Sequence, residues 1–374
     1  MRVNTTIGAT TLVGATLLAG IARSDAEHAS GPLTPTATLP LASPPQTTLV
    51  PPVPTLRIGQ LNAYNLFDTV DTPRVQDEVL TPLAYETKLT KLALTIRDVM
   101  GSPDIIALQE VEGEHVLRAL AARPELVALG YEPIIIEGND PRGIDVAYLY
   151  RPSRVELISV EQRNTTHRSP TGRNIKLFTR PPLVATFRPL GTGATDGARA
   201  GSDITLIVNH FTSKLEGEPG ARKRLLQAAW VSSLADGSAG VANLQRGRVI
   251  VLGDLNEAPG EPAYESLLRR EGRTERELVN AADQLPVSER YSYRQGRTRT
   301  LLDHVLLSPE LAAGLRTVQI PHVNSDPSPR LGADPTTPLR ASDHDPVIVK
   351  LKAAAAEAAA REARPVPAVI DITP

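Results

Sequence analysis

The sequence predicts an α/β protein, a layered sandwich with mixed sheets, and three observations carry that expectation. Strand-like and helix-like stretches alternate along one body, residues 55–352. Strands outnumber helices, and several follow each other too closely for a helical crossover, which argues against a barrel of eight βα repeats. The runs Asp104–Leu108 and Val249–Leu252 are continuously apolar, as in strands covered on both faces. No internal repeat breaks this single body.

Taken in order, Arg2 precedes an uncharged Ala/Leu/Gly/Thr run, Val3–Ala22, and small residues follow near Ala26. Residues 1–26 are therefore expected to be a secretory signal, since the Thr and Gly content makes a poor bilayer span. Residues 27–54 are Pro/Thr-rich without periodicity, an extended linker. Leu56–Leu61 alternates like a half-buried strand, and Tyr85–Met100 carries apolar residues at one-face helical spacing. Asp145–Tyr150, Leu183–Phe187, Ile204–Val208, Leu301–Leu307 and Val347–Leu351 read as further strands. Glu218–Leu234 reads as a helix with Leu225, Leu226, Ala229 and Trp230 on its buried side. Residues 353–374 form an Ala/Pro-rich tail to which no chemistry is assigned.

Composition narrows the chemistry. The chain has 374 residues, 41% hydrophobic, enough for a substantial core. Its formal net charge is −2, so any nucleic-acid partner must be held by a local basic groove. With no cysteine, disulfides, thiolate metal sites and cysteine-nucleophile phosphatases are excluded.

The informative feature is how the strands end. Leu61 is followed by Asn62, Leu108 by Gln109 and Glu110, and Val208 by Asn209 and His210. Leu252 leads to Asp254 and Asn256, Leu302 to Asp303 and His304, and Ala341 to Ser342, Asp343, His344 and Asp345. One such ending is ordinary turn chemistry. Six of them, offering carboxylates, amides and imidazoles, suggest a ligand crevice at strand C-termini.

The segments QLNAYNLFD, IIALQEVE, RGIDVAYLYR, LIVNHFTSK, VIVLGDLNEAPG, TLLDHVLLS and SDHDPV, in this order, make the chain recognisable. It resembles the endonuclease/exonuclease/phosphatase superfamily, which includes pancreatic-type deoxyribonucleases, abasic-site endonucleases, bacterial sphingomyelinases and inositol polyphosphate phosphatases. The wording around NHF and DHVLLS is most similar to that of secreted bacterial nucleases in the group. The resemblance implies a four-layer α/β sandwich, two mixed β-sheets face to face with helices outside. It also implies roles. Asn62, Glu110 and Asp343 correspond to metal-binding positions, and an oxygen-only set favours Mg²⁺ or Mn²⁺ over zinc. His344 corresponds to the general base and Asp303 to its orienting partner. Asp254 and Asn256 correspond to the pair holding the attacking water and a phosphate oxygen. His210 corresponds to the histidine that stabilises the transition state or protonates the leaving group, with Asn209 fixing its loop. Taken singly, Asn62 could simply terminate a strand, and Glu110 could open a following helix as an N-terminal acid. His304 reads as a buried, hydrogen-bonded histidine outside the catalytic set.

Substrate contacts are expected from loops. Arg142 is either a phosphate contact or half of a surface ion pair with Asp145. Lys214, four residues past His210, is a candidate phosphate contact. The stretch from Arg163 to Arg180 is basic, and Arg290–Arg299 interleaves Tyr291 and Tyr293 with arginines including Arg297 and Arg299. Such segments suit a phosphate backbone and base stacking, while the alternative has both tyrosines packed beneath the sheet.

The expected protein is thus a secreted or periplasmic metal-dependent phosphodiesterase, a nuclease acting on DNA or RNA by direct water attack. The alternative is a lipid phosphodiesterase or phosphatase on the same scaffold. Against it, the Pro-Ala-Trp-Cys-Asp-Arg element of inositol phosphatases is absent where TLLDHVLLS stands, and no aromatic membrane hairpin stands out. No protein partner is implied, nor membrane association once the signal is removed.

Overall fold

The computed structural model describes residues 55–352, apart from 74, 169–171, 191–201 and 270–276. The expected signal, linker and tail lie outside the described residues. Eight strands occupy the first half: β1 (Thr55–Leu66), β2 (Ile105–Val111), β3 (Glu132–Ile135), β4 (Asp145–Tyr150), β5 (Val155–Gln162), β6 (Thr166–Arg168), β7 (Asn174–Lys176) and β8 (Leu183–Pro189). The second half adds β9 (Ile204–His210), β10 (Val249–Asp254), β11 (Val279–Asn280), β12 (Tyr293–Gln295), β13 (Thr298–Thr300), β14 (Asp303–Leu307), β15 (Leu315–Gln319) and β16 (Val347–Lys352). The α-helices are α1 (Pro82–Leu94), α2 (Glu114–Ala121), α3 (Gly217–Ala235), α4 (Pro262–Leu268) and α5 (Pro309–Ala313).

Twelve strands form two six-stranded sheets, ordered β15-β16-β1-β2-β4-β3 and β11-β14-β10-β9-β8-β5. Both are mixed. Each contains one parallel pair, β1 with β2 and β9 with β10, bridged by α1 and α3. A parallel pair needs a crossover, and these two helices supply it on the outer faces.

Three apolar layers follow from the two-residue period of a strand. Leu56 and Ile58 of β1, Ile204, Leu206 and Val208 of β9, and Ile250 and Leu252 of β10 meet between the sheets. Leu61 and Ala63 point the other way, onto Leu89, Leu92 and Ile96 from α1 and its extension and onto Val116 and Leu120 from α2. Ile207, Val249 and Val251 likewise face Val231 and Leu234 of α3 and Leu267 of α4. Helix, sheet, sheet, helix: the sandwich has four layers. Among the described residues, no helix is long and apolar enough to cross a membrane.

Two expectations about elements change. The helix anticipated over Tyr85–Met100 starts earlier, where Pro82 sits in the first turn and the Thr81 side chain accepts from the Ala84 N–H. It also ends in a π-helical turn, Thr95–Val99. Helix α3 turns a different face inward from the one its apolar residues suggest. Leu225 and Leu226 are 43% and 44% exposed and Ala229 is exposed, whereas Arg224, Gln227, Ala228, Val231 and Leu234 are buried and Trp230 packs partly buried against the core as expected. The polar pair decides the rotation. Arg224 is ion-paired to Glu257 at 2.5 Å, and Gln227 accepts from the Thr212 N–H at 3.0 Å and donates to the Leu177 carbonyl. Turning these groups outward would leave their buried partners unsatisfied.

Candidate active site

The inner face of each sheet is apolar along most of its strands and polar at one end. On β1 the inward series runs Leu56, Ile58, Gln60, Asn62; on β9 it runs Ile204, Leu206, Val208, His210. On β10 it runs Ile250, Leu252, Asp254, and antiparallel β14 enters the same place with Asp303 before Val305 and Leu307. Register aligns these ends, since Asp254 pairs with both His210 and Asp303. The polar cluster is therefore the C-terminal mouth of the gap between the sheets.

Glu110 reaches it by breaking the alternation. Ile105, Ala107 and Gln109 share one face of β2, so Glu110 would point to the helices. Instead its backbone is left-handed, φ 60°, and the ladder with β4 shifts register between Leu108 and Val111. A bulge of this kind re-aims a side chain at a cost in backbone strain. Glu110 Oε1 then accepts from the Asn62 amide at 3.1 Å and lies 3.9 Å from His210 Nε2. Asn256 is also left-handed, φ 49°, with its N–H on Asp254 Oδ1 at 2.9 Å. Gly253 is required just before Asp254, because a Cβ there would stand 2.0 Å from the Asn209 carbonyl oxygen of the neighbouring strand.

At the centre, His344 Nδ1 meets Asp303 Oδ2 at 2.6 Å, leaving Nε2 3.9 Å from Asp254 Oδ2. Asp303 is fully buried and also accepts from Ser292 Oγ at 2.6 Å and Gln60 Nε2 at 2.7 Å. Burial works to raise the Asp303 carboxyl, but His344, Ser292 and Gln60 outweigh it and hold the group below its usual range. Burial likewise opposes charge on His344, yet Asp303 and Asp254 outweigh it and hold the imidazole well above its ordinary value. His210 is the opposite case. Burial, reinforced by the positive charges of Arg180, His344 and Arg142, keeps it well below and therefore neutral. Its Nε2 is 3.5 Å from Asp254 Oδ2. Burial pushes the Asp254 carboxyl up.

Asp254, Asp303 and His344 present ligand atoms all within 4.8 Å of one another, a group able to hold a cation. The Nδ1–Asp303 contact is a direct hydrogen bond, so only the Asp254 side of that group has room for one. Asp343 offers a second place. Its Oδ1 is buried without a partner, and burial together with the charge of Glu110 raises its carboxyl, although His344 opposes the shift. Asn62 turns its amide nitrogen, not its oxygen, toward this place. Nδ2 donates to Glu110 and to Asp254 Oδ2 at 3.1 Å, while Oδ1 accepts from the Tyr64 N–H at 2.9 Å.

Asn62, Glu110, His210, Asp254, Asn256, Asp303, Asp343 and His344 are thus gathered at one mouth. Other candidates are placed differently. Asn209 alternates to the outer side, fully buried, and donates to the Ile207 carbonyl of its own strand, so it neither fixes the following loop nor lines the crevice. Lys214 is ion-paired with Glu261 at 2.5 Å. Arg142 donates to Asn65 Oδ1 at 3.2 Å and sits 3.4 Å from Asp140, close enough to influence His210. Its ion-pair partner is Asp140, not Asp145.

Tyr291 is only 5% exposed. Its ring stacks on His322 at 3.6 Å and its hydroxyl donates to Asp326, so the segment's first tyrosine is packed away from substrate. Arg299 lies over that ring and pairs with Asp326, as does Arg294, leaving Arg297 as the segment's exposed arginine outside any ion pair among the described residues. In the other basic stretch, Arg163 pairs with Glu161 and buried Arg180 with Asp140. His304, on the outer side of β14, is fully buried between the Glu257 carbonyl and the Asn280 amide, as expected of a structural histidine.

Gln60, Ser292 and Asn324 went unmarked in the sequence, and Ser342 was named there without a role. Ser342 Oγ donates to the Asn62 carbonyl and accepts from the His344 N–H, and Asn324 donates to the His344 carbonyl at 2.7 Å. Only Gln60 had a readable signal: two residues before Asn62, it shares that residue's face.

Comparison with known proteins agrees with this architecture. A family model described as the Endonuclease/Exonuclease/phosphatase family matches residues 57–323. No curated protein matches the chain. Among solved structures, an endonuclease/exonuclease/phosphatase from Bacteroides vulgatus is 16% identical with a TM-score of 0.52, covering 80% of this chain and 99% of that one. A family protein from Bacteroides thetaiotaomicron is 16% identical, TM-score 0.51, covering 80% and 95%. ANGEL2, a 2′,3′-cyclic phosphatase, is 14% identical, TM-score 0.52, covering 79% and 94%. At such identities the structural matches speak to fold.

Proposed function

The chain belongs to the endonuclease/exonuclease/phosphatase family, and from that premise we propose that it is a metal-dependent phosphodiesterase, a nuclease that hydrolyses DNA or RNA by direct attack of water. The carrying observation is the buried His344–Asp303 pair, 2.6 Å apart, facing Asp254 and His210 at the strand ends.

Asp303, fixed by Ser292 and Gln60, holds the His344 ring by Nδ1 so that Nε2 faces the crevice, and it is the neutral form of the ring that takes the proton of the attacking water. Asp254, with its second oxygen on the Asn256 N–H, orients that water. His210, neutral, hydrogen-bonds a phosphate oxygen or the leaving oxygen. Glu110 and the unpartnered Asp343 oxygen fit a hard divalent cation, Mg²⁺ or Mn²⁺, and Asn62 could join them only with its amide turned over. Such a cation supplies positive charge to the non-bridging phosphate oxygens. ANGEL2, a 2′,3′-cyclic phosphatase also solved in complex with adenosine-2′,3′-vanadate, supports a substrate of this class. Export, read from residues 1–26, is part of the same proposal.

The test is a substrate panel. Purified protein with Mg²⁺ is offered plasmid DNA, RNA, sphingomyelin and an inositol polyphosphate, with an EDTA control. Cleavage of a polynucleotide is expected. Turnover of only the lipid or inositol substrate would overturn the nuclease reading and leave the metal-phosphodiesterase chemistry.

A further inference from the structure

Next to the Glu110–Asp343 side of the crevice lies a cavity of about 650 Å³, within the size range of small-ligand sites. Asp343 belongs to its wall, so the cavity opens onto the proposed cation position. Tyr64 lines it with a ring that is 51% exposed, an unusual state for an aromatic two residues from a catalytic strand end. Its backbone is left-handed, φ 55°, and so is that of Arg340 across the cavity, φ 62°. Two bulky residues held in this region signal a locally imposed arrangement.

The charges here differ from those on the basic stretches. Lys88 stands 5.0 Å over the Tyr64 ring, and among the described residues its ammonium donates to the carbonyls of Tyr64 and Ala341. Arg340 donates to the Asn324 carbonyl. Neither forms an ion pair among the described residues, whereas Arg163, Arg180, Lys214, Arg294 and Arg299 all do. Tyr64, Arg340 and Asp343 line the same cavity, and Glu78 adds a second carboxylate to its wall. Leu83 and Ala84 of α1 complete an apolar side. Beneath them buried Lys91 donates to four carbonyls of the 331–339 segment, holding the far wall in place.

A half-exposed aromatic face, two cations outside any ion pair among the described residues, an apolar wall and a cavity open to solvent suit one planar base with its phosphate. We propose that this cavity is a nucleotide subsite, in which Tyr64 stacks a nucleobase while Lys88 and Arg340 hold the phosphate next to it. The inference rests on the phosphodiesterase reading of the adjoining residues, and it narrows that reading from an open groove to recognition of a nucleotide at or next to the cleaved bond.

Isothermal titration of the full-length protein in Mg²⁺ buffer tests it, with adenosine 5′-phosphorothioate (a hydrolysis-resistant nucleotide), thiophosphate and phosphocholine as probes. The nucleotide should bind roughly tenfold more tightly than thiophosphate, the scale of one base–aromatic stack. Tyr64→Ala should erase that difference and Tyr64→Phe should keep it. Ala84→Trp, at an exposed helix position, should fill the cavity and weaken nucleotide binding without lowering the melting temperature. Equal binding of nucleotide and thiophosphate, preference for phosphocholine, or an unchanged difference in Tyr64→Ala would overturn the proposal. No turnover enters the measurement. A protein that binds the nucleotide through Tyr64 but cuts no polynucleotide would sink the nuclease reading alone, and one that cuts DNA without Tyr64-dependent binding would sink the subsite alone.

Discussion

The strand-end cluster and the Arg290–Arg299 hairpin are both polar, both close to His344, and they behave in opposite ways. The cluster's groups are aimed into a shared space, with Asp343 Oδ1 and His210 Nδ1 buried and unpartnered. The hairpin spends its groups on its own packing. Arg294 and Arg299 both pair with Asp326, Tyr291 stacks on His322, and His322 in turn contacts Asp345 at 3.0 Å. Tyr293 bridges to His344 through the backbone, with its ring 4.8 Å from the imidazole. Ser292 holds Asp303. The hairpin therefore packs as a buttress behind His344. Groups whose partners are missing from the fold are available for chemistry, and charge alone does not reveal that.

The largest effect should come from the cluster. His344→Ala and Asp303→Ala should each lower kcat by roughly 100- to 10,000-fold, the range for loss of a positioned general base. The double variant should be little worse than His344→Ala, because the pair works as one unit. Independent, multiplying losses in steady-state kinetics would separate Asp303 from His344 and dissolve the contrast.

His304 sharpens the comparison from inside one strand. It follows Asp303 but faces the α4 side, and its ionisation should affect folding and leave turnover alone. Burial, opposed by the Glu257 carbonyl and the charges of Asp303 and Asp283, pushes it down to about 4 from 6.5. The unfolded chain therefore takes up this proton first. The stability contribution is complete above pH 6.5 and is lost as pH falls toward about 4, by about 3 kcal/mol at most. Urea unfolding across that window should show a slope in the natural protein that His304→Gln removes. Parallel curves for the two proteins would show that His304 is not buried neutral.

The smallest effects should lie in the hairpin. Arg297, exposed, should when changed to Ala raise KM on long DNA and flatten its salt dependence by slightly less than one log–log unit. Arg299→Ala should instead cost well under 1 kcal/mol of stability, since its pair with Asp326 is partly solvated. If Arg299→Ala changes the salt slope as much as Arg297→Ala, the hairpin is a groove after all.

Why the cluster was legible and the hairpin was not has a physical reason. A strand's alternation and its end are local properties, so Asn62, His210, Asp254 and Asp303 could be placed from the chain itself, and Gln60 could have been. The same rule shows why Asn209, one residue from His210, faces away. Glu110 contradicts the alternation, because a bulge is set by the pairing with β4 and not by the residues of β2. The inward face of α3 depended on Glu257, 33 positions from Arg224. Likewise Asp326, 27 positions from Arg299, decides whether that arginine is free. Partnerships at such distances do not show in composition or spacing.

The central claim, that the strand-end cluster hydrolyses phosphodiesters with a cation at Glu110 and Asp343, is tested most directly by a metal titration. The natural protein and Glu110→Gln are stripped with EDTA, and polynucleotide cleavage is followed as Mg²⁺ is restored. The account predicts no turnover in EDTA, full recovery with Mg²⁺, and a higher Mg²⁺ requirement in the variant. Undiminished cleavage in EDTA, or an unchanged Mg²⁺ requirement in Glu110→Gln, would contradict it.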